Sequence, residues 1–187
     1  MLFTNISFAQ QSSVLSVKTK IDTTILVALY NVSVFYPELE GTHVTISYSR
    51  IKTTLNCRPS IFSVLFQKKS NRLYKIRINS SKSRNGIVYD SIPMDAKNGL
   101  WAHELAHISD YKTAGIGGII KRLFWYTSKT KKEAFEKSID LQTIKHGAGF
   151  SLLKWSQWVL EHSKAPDWYK EYKKRYYLEP FEIKDRL

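Results

Sequence analysis

The spacing of apolar residues changes period along this chain, and each change marks an element. Ile21, Ile25, Ala28, Leu29, Val32 and Phe35 recur three and four apart, which predicts an amphipathic helix over about 21–36. Pro37 to Gly41 punctuates it. Val44, Ile46 and Tyr48 then alternate with Thr and Ser, the period of a half-buried strand. Residues 51–58 fit strand and loop equally, and Pro59 is placed to open a short helix carrying Phe62, Leu65 and Phe66. Alternation returns at 72–79, with Tyr74, Ile76 and Ile78 on one side and Lys75 and Arg77 on the other. Such charges belong either to a plain solvated strand face or to a guarded sheet edge that an extended peptide can join. Residues 80–86 are turn-rich, and Ile87, Val88 and Tyr89 suggest a brief returning strand.

The second half reads as helices. One is expected over about 95–110, with Asp95 as its N-cap and Leu100, Leu105 and Ile108 as its apolar packing; the small Gly99 and Ala102 let a neighbouring backbone come close. Residues 115–126 combine glycines with apolar and basic residues. They suggest a mobile wall of a cleft, a membrane-touching segment, or a loop held by Leu123, Phe124 and Trp125. A helix over 131–146 ends at Gly147, another follows over 150–160, and Pro166 opens a third. Its run 170–177 interleaves Lys and Arg with Tyr, which fits a surface helix with its rings on the core better than a nucleic-acid binder.

Composition narrows the class. At 187 residues the chain suits one domain with a proper core, and 43% hydrophobic with 24% charged residues is ordinary for a globular protein. Lys and Arg number 29 against 16 acids, a net charge of +13 that favours anionic surroundings; the excess reads as spread along the chain and not gathered in one tract. A single cysteine, Cys57, excludes an intrachain disulfide framework and a CxxC-type metal site. Residues 1–9 are mostly apolar and end in Ser7-Phe8-Ala9. This fits the tail of a signal peptide, hence a secreted, periplasmic or cell-envelope protein, although a frayed apolar terminus of a cytoplasmic protein fits equally.

The chemistry is concentrated in Gly99 to Tyr111, where His103, Glu104 and His107 form an HExxH motif. Residues four apart stack on one helix face, so both imidazoles can share one Zn²⁺ while Glu104 takes a proton from an activated water. The position six after His107 is Thr113, and no His follows until His146, so a third histidine ligand nearby is missing. On the 131–146 helix, Glu136 and Asp140 are again four apart: Glu136 can complete a His₂Glu site, and Asp140 can orient a ligating imidazole through its free N–H. Glu133 ranks second as third ligand and Asp110 third. Tyr111, Tyr126, His146 and His162 are all open as donors to a tetrahedral oxyanion.

His-Glu-Leu-Ala-His together with Glu-Lys-Ser-Ile-Asp resembles the HExxH…ExxxD pattern of gluzincin metallopeptidases, the thermolysin-like group, and the chain length is similar to that of minimal single-domain members. Asp110-Tyr111 is similar to an Asp-Tyr pair in that group, one residue closer to the motif here. The resemblance covers about 99–111 and 133–140. It implies zinc held by His103, His107 and Glu136, Glu104 as general base, and Asp140 supporting a ligand from behind.

The expected fold is α+β and zincin-like: a small N-terminal sheet, the HExxH helix and a C-terminal helical lobe, in one domain over 10–187. The expected activity is zinc-dependent hydrolysis of peptide bonds, with a peptide or protein substrate lying along 72–79. An anionic membrane or cell-envelope surface is a further candidate partner, ahead of nucleic acid. The competing classes are a catalytically silent, zinc-stabilised interaction protein and a basic nucleic-acid-associated protein.

Overall fold

A computed structural model describes residues 15–17, 22–80 and 85–187; the segment 1–9 and Ile21 lie outside them. The architecture is α+β. A four-stranded sheet in the N-terminal half packs on helices that make up most of the other described residues. Its strands are β1 (Leu15–Val17), β2 (Thr42–Ser49), β3 (Leu55–Pro59) and β4 (Leu73–Asn79), in the order β1-β2-β4-β3. β1 and β4 run parallel to β2, and β3 runs antiparallel to β4.

The first helix, α1 (Thr23–Ser33), follows the predicted pattern: Ile25, Ala28, Leu29 and Val32 are its buried stripe, and the Asp22 carboxylate accepts from Thr24 N–H at its start. The short α2 (Ile61–Phe66) begins after Ser60, so Pro59 closes a strand instead of opening a helix. Ile61, Phe62, Leu65 and Phe66 on it all face solvent.

Around the long α3 (Met94–Thr113) the remaining elements assemble: the sheet through β3, then α1, α5 (Lys129–Thr143) and α6 (Gly149–Gln157). Fifteen of its residues are buried, so α3 is a central helix with no wet stripe. Its start differs slightly from expectation. Pro93 holds the N-cap position, and Asp95 lies in the first turn, where its charge suits the positive helix end. α4 (Ile116–Trp125), α7 (Asp167–Tyr176) and α8 (Pro180–Lys184) complete the set among the described residues.

Three further expectations change. The segment 115–126 is mostly the helix α4, with Ile119 buried and Leu123, Trp125 and Tyr126 on the core, while Phe124 points out. Residues 87–89 form no strand. Ile87 N–H is taken by the Asn85 side chain, and Tyr89 enters a 3-10 turn whose phenol oxygen accepts from Trp101 Nε1 at 2.6 Å.

The strand 72–79 is not an edge: β4 is paired on both sides, by β2 and by β3. Lys75 and Arg77 stand perpendicular to the sheet, on the face opposite Tyr74, Ile76 and Ile78, and side-chain charge on a face says nothing about whether the backbone is paired. The edge strands are β1 and β3, and the far side of β3 pairs with no strand among the described residues. Which of its backbone groups are free follows from the ladder. Thr54 C=O accepts from Asn79 N–H, and Ser60 N–H donates to Leu73 C=O. Bonding residues alternate in an antiparallel pair, so Asn56 and Arg58 bond inward while Leu55, Cys57 and Pro59 turn their backbone groups outward. Proline, which has no N–H, fits that open side.

Gly99 sets the spacing of α3 and α6. A Cβ placed on it would lie 1.9 Å from Ser151 C=O, a backbone atom in a helix that cannot step aside. Gly99→Ala is therefore expected to destabilise the fold by about 1–3 kcal/mol or more. Chemical denaturation checks this, and an unchanged midpoint would contradict the close crossing.

Candidate metal centre

His103 and His107 project from the same side of α3, their rings 4.8 Å apart and edge to face. α5 lies across that face and brings Glu136 and Asp140 to it. Glu136 Oε2 is 3.3 Å from His103 Nε2 and 3.3 Å from His107 Nε2. Asp140 Oδ1 is 2.7 Å from His103 Nδ1, and its Oδ2 accepts from Leu178 N–H at 2.8 Å. All four side chains are buried. The two i, i+4 pairs, one on each helix, account for the arrangement: each pair stacks on one face, and the two faces meet.

The donor atoms of His103, His107 and Glu136 lie within 4.8 Å of one another, a group that can hold a metal ion. Two of the three spacings suit a small tetrahedral site. Ligands about 2.0–2.2 Å from a zinc ion, at tetrahedral angles, stand roughly 3.3–3.5 Å apart, and both nitrogen-to-oxygen distances here are 3.3 Å. The donor chemistry agrees. With the His103 Nδ1 proton directed to Asp140, Nε2 presents a lone pair to the Glu136 carboxylate, an unfavourable contact unless a cation or proton stands between them.

Protons fill that role when no metal is bound. Burial works against a charged His103, but hydrogen bonds to Asp140 and Glu136 and the two carboxylate charges prevail and lift its pKa to about 10. Burial likewise opposes ionisation of Glu136, yet the His107 charge and hydrogen bonds from both histidines hold its carboxyl well below the usual carboxylate range.

Glu104 stands apart from these contacts. It is buried, its Oε2 has no hydrogen-bond partner, and burial raises its pKa against the pull of His107 and His103. An unpaired buried carboxyl is costly to a fold. Here it lines a cavity of about 500 Å³ shared with His103, His107 and Glu136.

Of the other candidates, Glu133 points away and pairs with Lys137 at 3.4 Å. Asp110 is held by two hydrogen bonds from the Arg122 guanidinium, through Nε and, at 2.8 Å, through Nη2. Among the four oxyanion candidates only Tyr126 lines the cavity. Tyr111 is fully buried in the core, His146 stacks on Tyr36 and meets Glu38, and His162 lies on the surface beside Glu161.

Several lining residues had no sequence signal of their own. Tyr172 and Tyr177 come from the basic and aromatic run 170–177, which is the expected surface helix with rings on the core: Lys173 and Tyr176 are buried, Glu171, Lys174 and Arg175 are exposed, and Tyr172 and Tyr177 also reach the cavity. Tyr177 meets the His103 ring edge-on at 5.4 Å, and the buried Lys173 ammonium lies 3.2 Å from the centre of the Tyr177 ring. Burial lowers the Lys173 pKa to about 8, against the attraction of Asp140, Glu136 and Glu104.

Asp140 gives a direct test of the support behind His103. Asp140→Ala is expected to weaken binding of added Zn²⁺ by about 10–100-fold, as measured by competition with a chelating dye. Unchanged affinity would show that the imidazole needs no anchor.

No protein-family model, curated protein or solved structure matches the chain.

Proposed function

We propose that this protein is a zinc-dependent peptide-bond hydrolase, with His103, His107 and Glu136 as metal ligands and Glu104 as general base. The observation that carries this reading is the pairing of a tight His₂Glu donor set with an unpartnered glutamate in one cavity. A purely structural ion is closed off by its ligands and has no use for an adjacent free carboxyl or an open cavity.

A zinc ion bound there supplies Lewis acidity that polarises a carbonyl and makes water nucleophilic near neutral pH. Glu104 accepts the proton of the attacking water at its free oxygen and delivers it to the leaving amine. Tyr126 stands in the same cavity, and burial holds its phenol pKa well above the ordinary value, so it remains a protonated donor for the developing oxyanion. Asp140 keeps His103 in one tautomer and one orientation. The substrate backbone lies along β3, where the outward N–H and C=O of Cys57 and the N–H of Leu55 are free to pair by strand addition.

A mixed peptide library supplies the test. Cleavage is expected with the zinc-loaded protein, to cease on chelation and to return when zinc is added back. Cleavage indifferent to chelation would remove the reading.

A further inference from the structure

The charge excess is less even than its total suggests. Between Glu40 and Asp90 the chain has ten Lys and Arg residues and no Asp or Glu. That stretch supplies β2, β3 and β4, and with them the sheet wall of the cavity. Arg50, Lys52, Arg58 and Arg77 line it from the sheet side, and Lys132 lines it from α5. None of the five makes an ion pair with a carboxylate among the described residues. Among the described residues the acids in the lining are Glu104 and Glu136, both already assigned to the site.

Three of these cations, Arg58, Arg77 and Lys132, have identifiable partners. Arg58 stands directly across the ladder from Lys75, a like-charge cross-strand pair that costs stability. The Arg77 guanidinium donates to Asn56 Oδ1 at 3.0 Å. Lys132 Nζ donates to Tyr172 Oη at 2.7 Å and lies 4.5 Å from the centre of the Tyr176 ring. Arg58 and Lys132 approach the Tyr126 ring at 5.9 and 5.7 Å. Burial lowers the Lys132 pKa, the Glu136 charge pulls it back up, and the nearby Arg58 and Lys52 charges push it down again, so the three cations share one field with that carboxylate. Five cations facing two carboxylates that are already assigned to the site favour an anion from outside.

Resting on the metallopeptidase reading, we propose that the site selects acidic polypeptide: an extended segment pairs with the free edge of β3 and places Asp or Glu side chains against Arg58, Lys52 and Lys132. The strand edge decides between anionic partners. Outward N–H and C=O groups at Cys57 match a polypeptide backbone in register, whereas a nucleic acid offers no such repeat. Guanidinium groups beside that edge suit bidentate pairing with carboxylates.

The test uses binding, so that it does not depend on turnover. The zinc-loaded Glu104→Gln protein is titrated with a fluorescent Asp/Glu-rich octapeptide, with its Asn/Gln counterpart, and with a single-stranded RNA oligonucleotide. The acidic peptide is expected to bind at least about tenfold more tightly than its neutral counterpart, and the preference to shrink as salt is raised. Arg58→Gln and Lys52→Gln are each expected to weaken the acidic peptide severalfold, leaving the neutral one and the zinc content unchanged. Equal binding of the two peptides overturns the proposal, and tighter binding of the RNA overturns it in favour of a nucleic-acid partner. Preference for the acidic peptide without cleavage by the unsubstituted protein would keep the proposal and sink only the peptidase reading. Cleavage without acidic preference would do the reverse.

Discussion

Replacing Glu104 by Gln is expected to lower peptide hydrolysis by about 10²–10⁴-fold while zinc stays bound. The two parts of this result separate the role of Glu104 from that of the ligands. Gln keeps the shape of the side chain but cannot accept a proton at neutral pH. Glu104 makes no hydrogen bond through Oε2, so the substitution breaks no contact there and the fold should hold. Removing a buried carboxyl that has no partner for that oxygen is expected to leave stability unchanged or to raise it slightly. Steady-state rates with a cleaved library peptide, alongside metal analysis of the same preparation, give both numbers. Full activity in the substituted protein would mean that Glu104 is not the base.

The second large effect concerns the third ligand. Glu136→Ala is expected to reduce bound zinc from about one ion per chain to a small fraction of that, because two imidazoles alone make a poor site. Glu133→Ala, one turn earlier on the same helix, is expected to change nothing measurable, since Glu133 pairs with Lys137 in a partly exposed contact of little worth. Side-by-side metal analysis and equilibrium dialysis of the two proteins decide it. The reverse order would move the ligand to Glu133 and require α5 to turn on its axis, which the burial of Phe135, Ile139 and Asp140 opposes.

How much of this was legible in the sequence differs between the site and its walls. His103, His107, Glu136 and Asp140 fall in two i, i+4 pairs on long helices, and helical spacing turns sequence separation directly into a shared face. What brings the two faces together is packing around α3, and Gly99 marked one of its close approaches. The walls were harder to read. Strand β3 is five residues long, mixes polar with apolar positions and ends in Pro59, so its pattern could not be told from a loop. Assigning the edge to 72–79 confused a charged face with an unpaired backbone. Those are perpendicular properties of a strand, and only pairing shows which backbone is free. The run 170–177 is the surface helix with rings on the core that its pattern suggests, but periodicity alone does not say that Tyr172 and Tyr177 reach the cavity. The expected return strand at 87–89 gave way to the bond between Trp101 and Tyr89, a contact between side chains twelve residues apart that no local pattern marks.

Zinc binding itself is the most direct test of the centre. X-ray absorption at the zinc edge, on protein purified without a metal-affinity tag and brought to one equivalent of zinc, reports both occupancy and ligand type. The expected spectrum shows two imidazoles with oxygen completing a shell of nitrogen and oxygen alone, and it loses order in the Glu136→Ala protein. Failure to bind zinc at micromolar concentration, or a sulfur ligand from Cys57, would contradict the proposed centre.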